Sequence, residues 1–271
     1  MTINSLSILG SGRLASHLGP ALSRAGFTIR QIYSRNLAHA ENLAQELGAQ
    51  AIDCLDQLNQ DSDCYLILLA DSGLEEIAKK LKMPGKLVLH SSGTSSLSLI
   101  QQCSQRTGVL YPLQSFSQGV KMNFGTLPFF IESHEAVDLS LIEELAKSLS
   151  KRVYLANSTQ RKQLHLAAVF ASNFSNHMYV LAQEILKASD LPLDVLNELI
   201  CQTSNNALTL SPLKAQTGPA SRFDQLVLNE HLNMLKEKPE IYQIYAQISQ
   251  SIQHFQLKNR NIQIDENSDT E

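Results

Sequence analysis

Two glycines and an alanine stand at fixed spacing near the start of the chain, in the stretch ILGSGRLASHL (8–18). The spacing G-x-G-x-x-A follows a predicted strand and opens a predicted helix, which is typical of a turn that holds a pyrophosphate against helix N–H groups. A tight turn without a ligand is the alternative, and the position of the turn favours the nucleotide. The predicted contacts are Gly10, Ser11, Gly12, Arg13, Leu14 and Ala15.

The end of the second predicted strand indicates which nucleotide is held. NAD-binding turns usually place an acidic residue there for the ribose hydroxyls, whereas this chain reads Ser34-Arg35-Asn36 and has no carboxylate before Glu41. A serine hydroxyl and a guanidinium suit a 2′-phosphate, although Arg35 is also readable as a solvated residue at a helix start. The pattern favours NADP(H) over NAD(H) and disfavours an S-adenosylmethionine methyltransferase.

Polar residues also follow the next three predicted strands. Ala70 and Asp71 end one of them, where Asp71 is either a ligand-binding residue or a helix N-cap. His90, Ser91 and Ser92 end the next, close to where a nicotinamide ring would lie. His90 is there either a proton relay or, as favoured, a buried histidine satisfied by backbone. After the following strand, Gln114 is polar enough to orient a substrate.

A polar stripe runs along an apolar segment, RKQLHLAAVFASNFSNHMYVLAQEIL (161–186). At 3.6 residues per turn His165, Ser172, Asn173 and Asn176 fall near one helix face, which either lines a wet cleft or satisfies neighbouring helices. The cleft is favoured, as the place where a substrate would meet the cofactor between two domains. In the loop 217–224, Arg222 either clamps a substrate anion or pairs with Asp224.

The elements that position these residues divide the chain into an α/β part and a helical part. Up to residue 156, apolar strand candidates at 5–10, 27–34, 64–70, 86–92, 107–112, 127–132 and 152–156 alternate with helical patterns, which predicts a parallel sheet covered on both faces. Residues 157–260 show only helical patterns, at 158–188, 193–209 and 224–256. The polar, acidic residues 261–271 are predicted to be a disordered tail.

The overall composition is that of an ordinary globular protein. Of 271 residues, 43% are hydrophobic and 18% charged, and the net charge of −4 offers no broad basic field for nucleic acid. No apolar stretch approaches the roughly 20 residues of a membrane span, and the four scattered cysteines suggest neither a disulfide framework nor a metal site. A cytoplasmic protein without nucleic-acid, membrane or metal partners is expected.

Taken together, ILGSGRLASHL, YSRN, LHSSG, YPLQSFS, HLAAVFASNFSNHMY and TGPASRFD resemble the Rossmann-like proteins that carry the C-terminal domain of unknown function 2520. These stretches span about residues 8–224. The resemblance implies an NADP-binding first domain similar to those of pyrroline-5-carboxylate reductases and deazaflavin-dependent NADP reductases. It also implies an all-helical second domain of the 6-phosphogluconate-dehydrogenase type, commonly paired into homodimers.

One departure bears on the reaction. Related β-hydroxyacid dehydrogenases and ketopantoate reductases use a helix lysine with an asparagine four residues later, and if Asn173 takes the asparagine position, Val169 stands where the lysine should be. The proton donor would then be His165, since a histidine ordinarily titrates near neutral pH.

The chain is thus predicted to be an NADP(H)-dependent oxidoreductase that transfers hydride to or from a small C=N or C=O substrate in the cleft between its domains. His165 and Asn173 are the expected catalytic residues, and Gln114, Asn176 and Arg222 are expected to contact the substrate. The alternative is a non-catalytic NADP(H)-binding protein that reports redox state to a partner, which the missing lysine favours.

Overall fold

The computed structural model describes residues 2–117 and 119–268, without the side chains of residues 260–268. Eight strands form one sheet in the order β3-β2-β1-β4-β5-β6-β7-β8. The strands are β1 (Ser5–Leu9), β2 (Thr28–Tyr33), β3 (Gln50–Ile52), β4 (Cys64–Ile67), β5 (Leu87–His90), β6 (Arg106–Pro112), β7 (Phe129–Ser133) and β8 (Val153–Leu155).

Helices cover both faces of this sheet, as the alternating sequence pattern predicts. The helices of this part are α1 (Arg13–Arg24), α2 (Leu37–Leu47), α3 (Asp71–Lys80), α4 (Ala136–Leu149) and α5 (Ser158–Ala168). Buried aliphatic side chains of α1, α2 and α4 pack with one face of the strands, whereas α3 and a short 3₁₀ turn pack on the other. The sheet therefore lies buried between two apolar layers.

The predicted Rossmann-like sheet is confirmed, with three local differences. β3 was not predicted, because three residues are too few for a periodic signal. Residues 95–104, which carry one of the helical patterns that alternate with the strand candidates, form only a 3₁₀ turn at Leu97–Ile100. β7 runs antiparallel to β6, which corrects the expectation of a wholly parallel sheet. The described residues of the connection between them form a 3₁₀ turn, Phe124–Thr126, and no crossover helix.

The strand order places the candidate residues along one edge of the sheet. β1 pairs with β2 on one side and with β4 on the other, so the chain winds outward in two directions from β1 and β4. Ligands of open α/β sheets bind at the carboxyl ends of the strands beside such a switch point. The turns after β1, β2, β4, β5 and β6 all lie at this edge.

The long helix predicted over 158–188 is interrupted. After α5 the chain forms a π-helical segment, Val169–Phe174, and continues as α6 (Ser175–Leu186). A π-helix holds more residues per turn than an α-helix, so side chains beyond it are rotated relative to a 3.6-residue pattern. The polar stripe predicted from His165 to Asn176 is therefore not kept in one register.

The chain divides into two compact units, residues 1–174 and 175–271. The sheet ends at β8, near the boundary predicted after residue 156, but α5 and the π-helical segment belong to the first unit. The second unit of the chain contains α6, α7 (Asn197–Leu210), α8 (Pro212–Ala215), α9 (Gln225–Met234) and α10 (Pro239–Ser268). The tail predicted over 261–271 falls on the last turns of α10 and on residues 269–271, which lie outside the described residues.

The described residues of the second unit form helices joined by loops, with no strand. Residues of α6 and α10 line an open apolar pocket of about 370 Å³, where the Tyr245 hydroxyl lies 2.8 Å from Nδ1 of His231. In the described parts of the chain, no helix combines the length and apolar character needed to cross a membrane.

Candidate active site

The turn between β1 and α1 is built on Gly10. Its φ of +129° lies in the region that favours glycine, and its N–H donates to the Tyr33 carbonyl at 2.8 Å. A Cβ at this position would stand 2.3 Å from the carbonyl oxygen of Leu68. The fold itself therefore requires glycine at position 10, because β4 passes directly beneath the turn.

Gly12 is different, because nothing in the protein requires it to be glycine. Its φ is −77°, and a Cβ built there would meet no atom of the described residues within 4 Å. It precedes α1, whose N-terminus has no side-chain cap and no acidic residue in its first turn. The free N–H groups and the open space above Gly12 fit an anion such as a pyrophosphate.

A cavity of about 340 Å³ extends from this turn past the end of β2. Ser34 and Arg35 line it as predicted, together with His39 of α2. The Arg35 side chain is 77% exposed and lies 3.4 Å from the carboxylate of Glu76. The guanidinium therefore borders the cavity and is not held by a buried partner, which leaves it available to a phosphate.

Glu76 is an acidic residue of this cavity that sequence reasoning missed. It lies on α3, far along the chain from Ser34, and its carboxylate also binds Nζ of Lys80 at 2.7 Å. The hydrogen bond and positive charge of Lys80 lower the pKa of Glu76. The carboxylate is consequently ionised near neutral pH, where it would repel the 2′-phosphate of NADPH.

Replacing Glu76 with glutamine is expected to tighten NADPH binding by about two- to five-fold, because a negative charge leaves the cavity while its shape is kept. NADH lacks the 2′-phosphate, so its affinity should change less. Fluorescence titration with both nucleotides measures the ratio. Glu75→Gln, on the exposed side of the same helix and outside the cavity lining, is the matched control. An unchanged NADPH-to-NADH ratio in Glu76→Gln would contradict this role.

Asp71 binds side chains from the loop after β5. Its carboxylate accepts hydrogen bonds from the hydroxyls of Ser92 at 2.6 Å, Ser95 at 3.4 Å and Thr94. Partial desolvation raises the pKa of Asp71, but the three hydroxyl groups outweigh it and the net pKa is lowered. The N-cap of α3 is Ala70, so Asp71 does not cap the helix and instead braces the loop of residues 91–96.

His90 is the last residue of β5, and Ser91 directly follows the strand. The Ser91 hydroxyl donates to the Leu110 carbonyl, which directs it into the neighbouring strand. His90 is fully buried, and its Nδ1 accepts the backbone N–H of Ser92 at 3.1 Å. No hydrogen bond from the described residues reaches its Nε2. His90 is thus buried, as in the favoured prediction, but the backbone satisfies only its Nδ1 and not its Nε2.

Burial lowers the pKa of His90 to about 3, with the Arg161 charge acting in the same direction. The folded protein keeps this ring neutral, whereas the unfolded chain protonates it below about pH 6.5. Stability should therefore fall with decreasing pH in the range between these values. Between pH 6.5 and 4.5, wild type should lose about 2 kcal/mol more unfolding free energy than His90→Asn. Urea unfolding at several pH values tests this, and parallel curves for the two proteins would contradict it.

Arg161, which was not predicted, fixes α5 to the same loop. Its side chain is fully buried, its Nε donates to the Ser92 carbonyl at 3.0 Å, and its guanidinium also binds the Ser95 carbonyl and the Glu132 carboxylate. Ser158 at the start of α5 donates to Glu132 from its backbone and its hydroxyl. A buried charge paired on all sides holds α5 against β7 and the loop 91–96.

His165 lies one helical turn after Arg161 and is brought to the same loop. Its Nδ1 is 3.2 Å from the hydroxyl of Tyr111, at the end of β6. A Cβ on Gly93 would stand 2.6 Å from that nitrogen, so the loop backbone closes directly against the imidazole ring. Of the two predicted catalytic residues, His165 is thus placed at the carboxyl edge of the sheet.

The remaining predicted site residues are not gathered around His165 within the first unit. Asn173 is exposed in the π-helical segment, eight residues further and roughly 10 Å along the helix axis. Gln114 is exposed and closes a local turn by accepting the N–H of Ser115 at 2.8 Å. Asn176 and Arg222 lie exposed in the second unit.

One of the two roles considered for Arg222 was a salt bridge with Asp224. Asp224 caps α9 by accepting the N–H of Val227 at 3.3 Å, and within the described residues no salt bridge joins it to Arg222. The predicted pairing of these two residues is therefore not formed, and Arg222 keeps its role as a candidate anion ligand.

Two family models match the chain in succession. A Rossmann-like domain matches residues 2–114, and the domain of unknown function DUF2520 matches residues 127–252. The chain matches no curated protein sequence.

Solved structures are similar along nearly the full length. BF3122 from Bacteroides fragilis, described as a candidate NADP oxidoreductase, is 40% identical with a TM-score of 0.87, over 93% of this chain and 98% of that one. TM1727 from Thermotoga maritima is 23% identical with a TM-score of 0.71, over 94% and 99% of the two chains. A reductive aminase from Aspergillus terreus, in complex with NADPH and ethyl levulinate, is 13% identical with a TM-score of 0.71, over 94% and 93%.

The last two likenesses show a shared fold, whereas the 40% identity to BF3122 across both chains shows common descent. The order of the two matched models agrees with the resemblance seen in the sequence. The chain belongs to the family of Rossmann-like proteins that carry a C-terminal DUF2520 domain.

Proposed function

We propose that this protein is an NADP(H)-dependent oxidoreductase that acts on a small substrate with a C=N or C=O bond. One observation carries the proposal: a single sheet edge holds both an open, uncapped helix N-terminus at Gly12 and a histidine at the ends of β5 and β6. The description of BF3122 as a candidate NADP oxidoreductase supports the same cofactor.

Different residues of the cavity would bind different groups of the cofactor. The N–H groups that follow Gly12 would hold the pyrophosphate, and Ser34 with Arg35 would hold the 2′-phosphate. The loop of residues 91–96, braced by Asp71 and Arg161, would form the floor beneath the nicotinamide. When bound, NADPH supplies the hydride, which is the difficult part of the reaction.

His165 would supply the proton that accompanies the hydride. The Nε2 atom of its ring is free of hydrogen bonds from the described residues, whereas Nδ1 faces Tyr111. Proton transfer from a positioned side chain speeds such reactions because the charge that develops on nitrogen or oxygen is neutralised as it forms. Asn173, Gln114, Asn176 and Arg222 stay candidate substrate ligands.

An absorbance screen at the nicotinamide band tests the proposal. NADPH oxidation is followed with imines, oxo acids and a deazaflavin, each with and without the protein. Protein-dependent oxidation by one class would support the oxidoreductase and name its substrate class. Tight NADPH binding with no oxidation by any compound would instead favour the redox sensor.

We further propose that the helical unit pairs with a second copy of the chain. Several large apolar side chains of this unit are exposed: Leu208 by 86%, Leu226 by 85% and Met234 by 73%. Leu191, Val195, Leu199 and Leu210 of the same unit are also more than half exposed, and apolar surface that is contiguous is typical of an interface. Light scattering of the purified protein should give twice the mass of one chain, and a monomer at micromolar concentration would contradict the pairing.

A further inference from the structure

The hydroxyl of Tyr111 stands directly behind the imidazole ring of His165. Tyr111 is 9% exposed at the end of β6, and its Oη lies 3.2 Å from Nδ1 of His165. The two ring centroids are 6.5 Å apart, with the ring planes inclined by 57°. In the described parts of the chain, this is the one hydrogen bond that the hydroxyl makes, so its polar end is directed at the histidine.

The backbone of Gly93 packs against both the His165 and the Tyr111 side chains. A Cβ at position 93 would stand 2.6 Å from Nδ1 of His165 and 2.9 Å from Oη of Tyr111. The backbone of Gly93 has no positive φ, so local conformation does not demand glycine there. The residue is small because both rings approach it, and the imidazole ring is held between a hydroxyl and a backbone.

A hydroxyl can hydrogen-bond to an imidazole ring in either protonation state, because it is both a donor and an acceptor. Burial raises the pKa of the Tyr111 hydroxyl, against the opposing charge of Arg161, so the group keeps its proton. It can donate to Nδ1 of the neutral ring, or accept from Nδ1–H of the imidazolium after rotation. Asp71 is a charged group that interacts with His165, and its carboxylate accepts hydrogen bonds from three hydroxyls.

We propose that Tyr111 is the positioning residue of His165, holding Nδ1 so that Nε2 is turned toward the reacting atoms. The inference rests on the proposed oxidoreductase function. In reduction, the Nε2–H bond of the imidazolium breaks, and its proton forms a new N–H or O–H bond with the electron pair released from the C=N or C=O π bond. The substrate carbon gains the hydride that NADPH supplies, and His165 is left neutral.

Tyr111→Phe removes the hydroxyl and keeps the buried ring. We expect kcat to fall by roughly 10- to 100-fold while KM and the NADPH dissociation constant stay within a factor of two, since orientation and not binding is lost. In ¹⁵N NMR of the protein without nucleotide, Nδ1 of His165 should change from the shift of a hydrogen-bonded nitrogen to that of a free one. Gly93→Ala, which pushes the ring from the hydroxyl, should change the same signal.

Tyr65→Phe is the matched control. Tyr65 is likewise buried on a core strand, and its hydroxyl donates to the Asn59 carbonyl at 2.7 Å, away from His165. It should lose stability without losing kcat or moving the His165 signal. An unchanged Nδ1 signal in Tyr111→Phe, or an equal loss of kcat in Tyr65→Phe, would overturn the inference. The NMR comparison needs no substrate, so it decides on Tyr111 even if no compound is reduced and the proposed function fails.

Discussion

Replacing Gly12 with valine is expected to weaken NADPH binding by at least about 100-fold, while the nucleotide-free protein unfolds at nearly wild-type stability. Among the residues that the structure describes, none has an atom within 4 Å of a Cβ at this position, and a φ of −77° is open to any residue. The branched side chain would instead fill the space in front of the N–H groups of α1. Calorimetric titration with NADPH and thermal unfolding measure the two effects.

Gly10→Ala supplies the opposite control within the same turn. Its φ of +129° and the Leu68 carbonyl 2.3 Å from the added Cβ predict a loss of about 2 kcal/mol or more in unfolding free energy. Gly10→Ala thus tests the contribution of the turn to folding stability, and Gly12→Val tests its contribution to NADPH binding. A Gly12→Val protein that binds NADPH like wild type would show that the space above Gly12 does not hold the cofactor.

Replacing His165 with glutamine is expected to lower kcat by about 10²- to 10⁴-fold, the range that a positioned proton donor contributes. Glutamine keeps polarity and approximate length at the contact with Tyr111 but cannot deliver a proton near neutral pH. The NADPH dissociation constant should stay unchanged, because the cavity at Ser34 and Arg35 is untouched. Steady-state rates with the best substrate from the screen, together with NADPH titration, measure both.

His134→Gln is the control for this replacement. His134 is exposed just after β7, whose antiparallel pairing with β6 places it at the sheet edge opposite His165. Its replacement should leave kcat at the wild-type value. Undiminished turnover in His165→Gln would show that His165 is not the proton donor.

Local sequence patterns predicted the sheet and its first turn because both depend on residues close together in the chain. Gly10 and Gly12 stand four residues or fewer from the strand and the helix that they join, and the alternation of apolar runs sets the layers. The same reasoning placed Ser34 and Arg35 at the cavity, since the end of β2 follows directly from the strand pattern.

The residues that were missed depend on contacts between distant segments. Glu76 reaches the cavity only because α3 packs beside the end of β2, and Tyr111 meets His165 only because the buried Arg161 fixes α5 to the loop after β5. Arg161 had a local signal, four residues before His165 on one helix face. The π-helical segment had none, and it is why Asn173 does not follow His165 at helical spacing.

Calorimetric titration of the wild-type protein with NADPH and with NADH measures whether the turn at Gly12 and the residues after β2 hold this cofactor. We expect saturable binding of one NADPH per chain, at least about tenfold tighter than NADH, because Ser34 and Arg35 would bind the 2′-phosphate. Equal affinity for the two nucleotides would contradict the role given to Ser34 and Arg35. Absence of saturable binding for both would contradict the cofactor site at Gly12 and the function built on it.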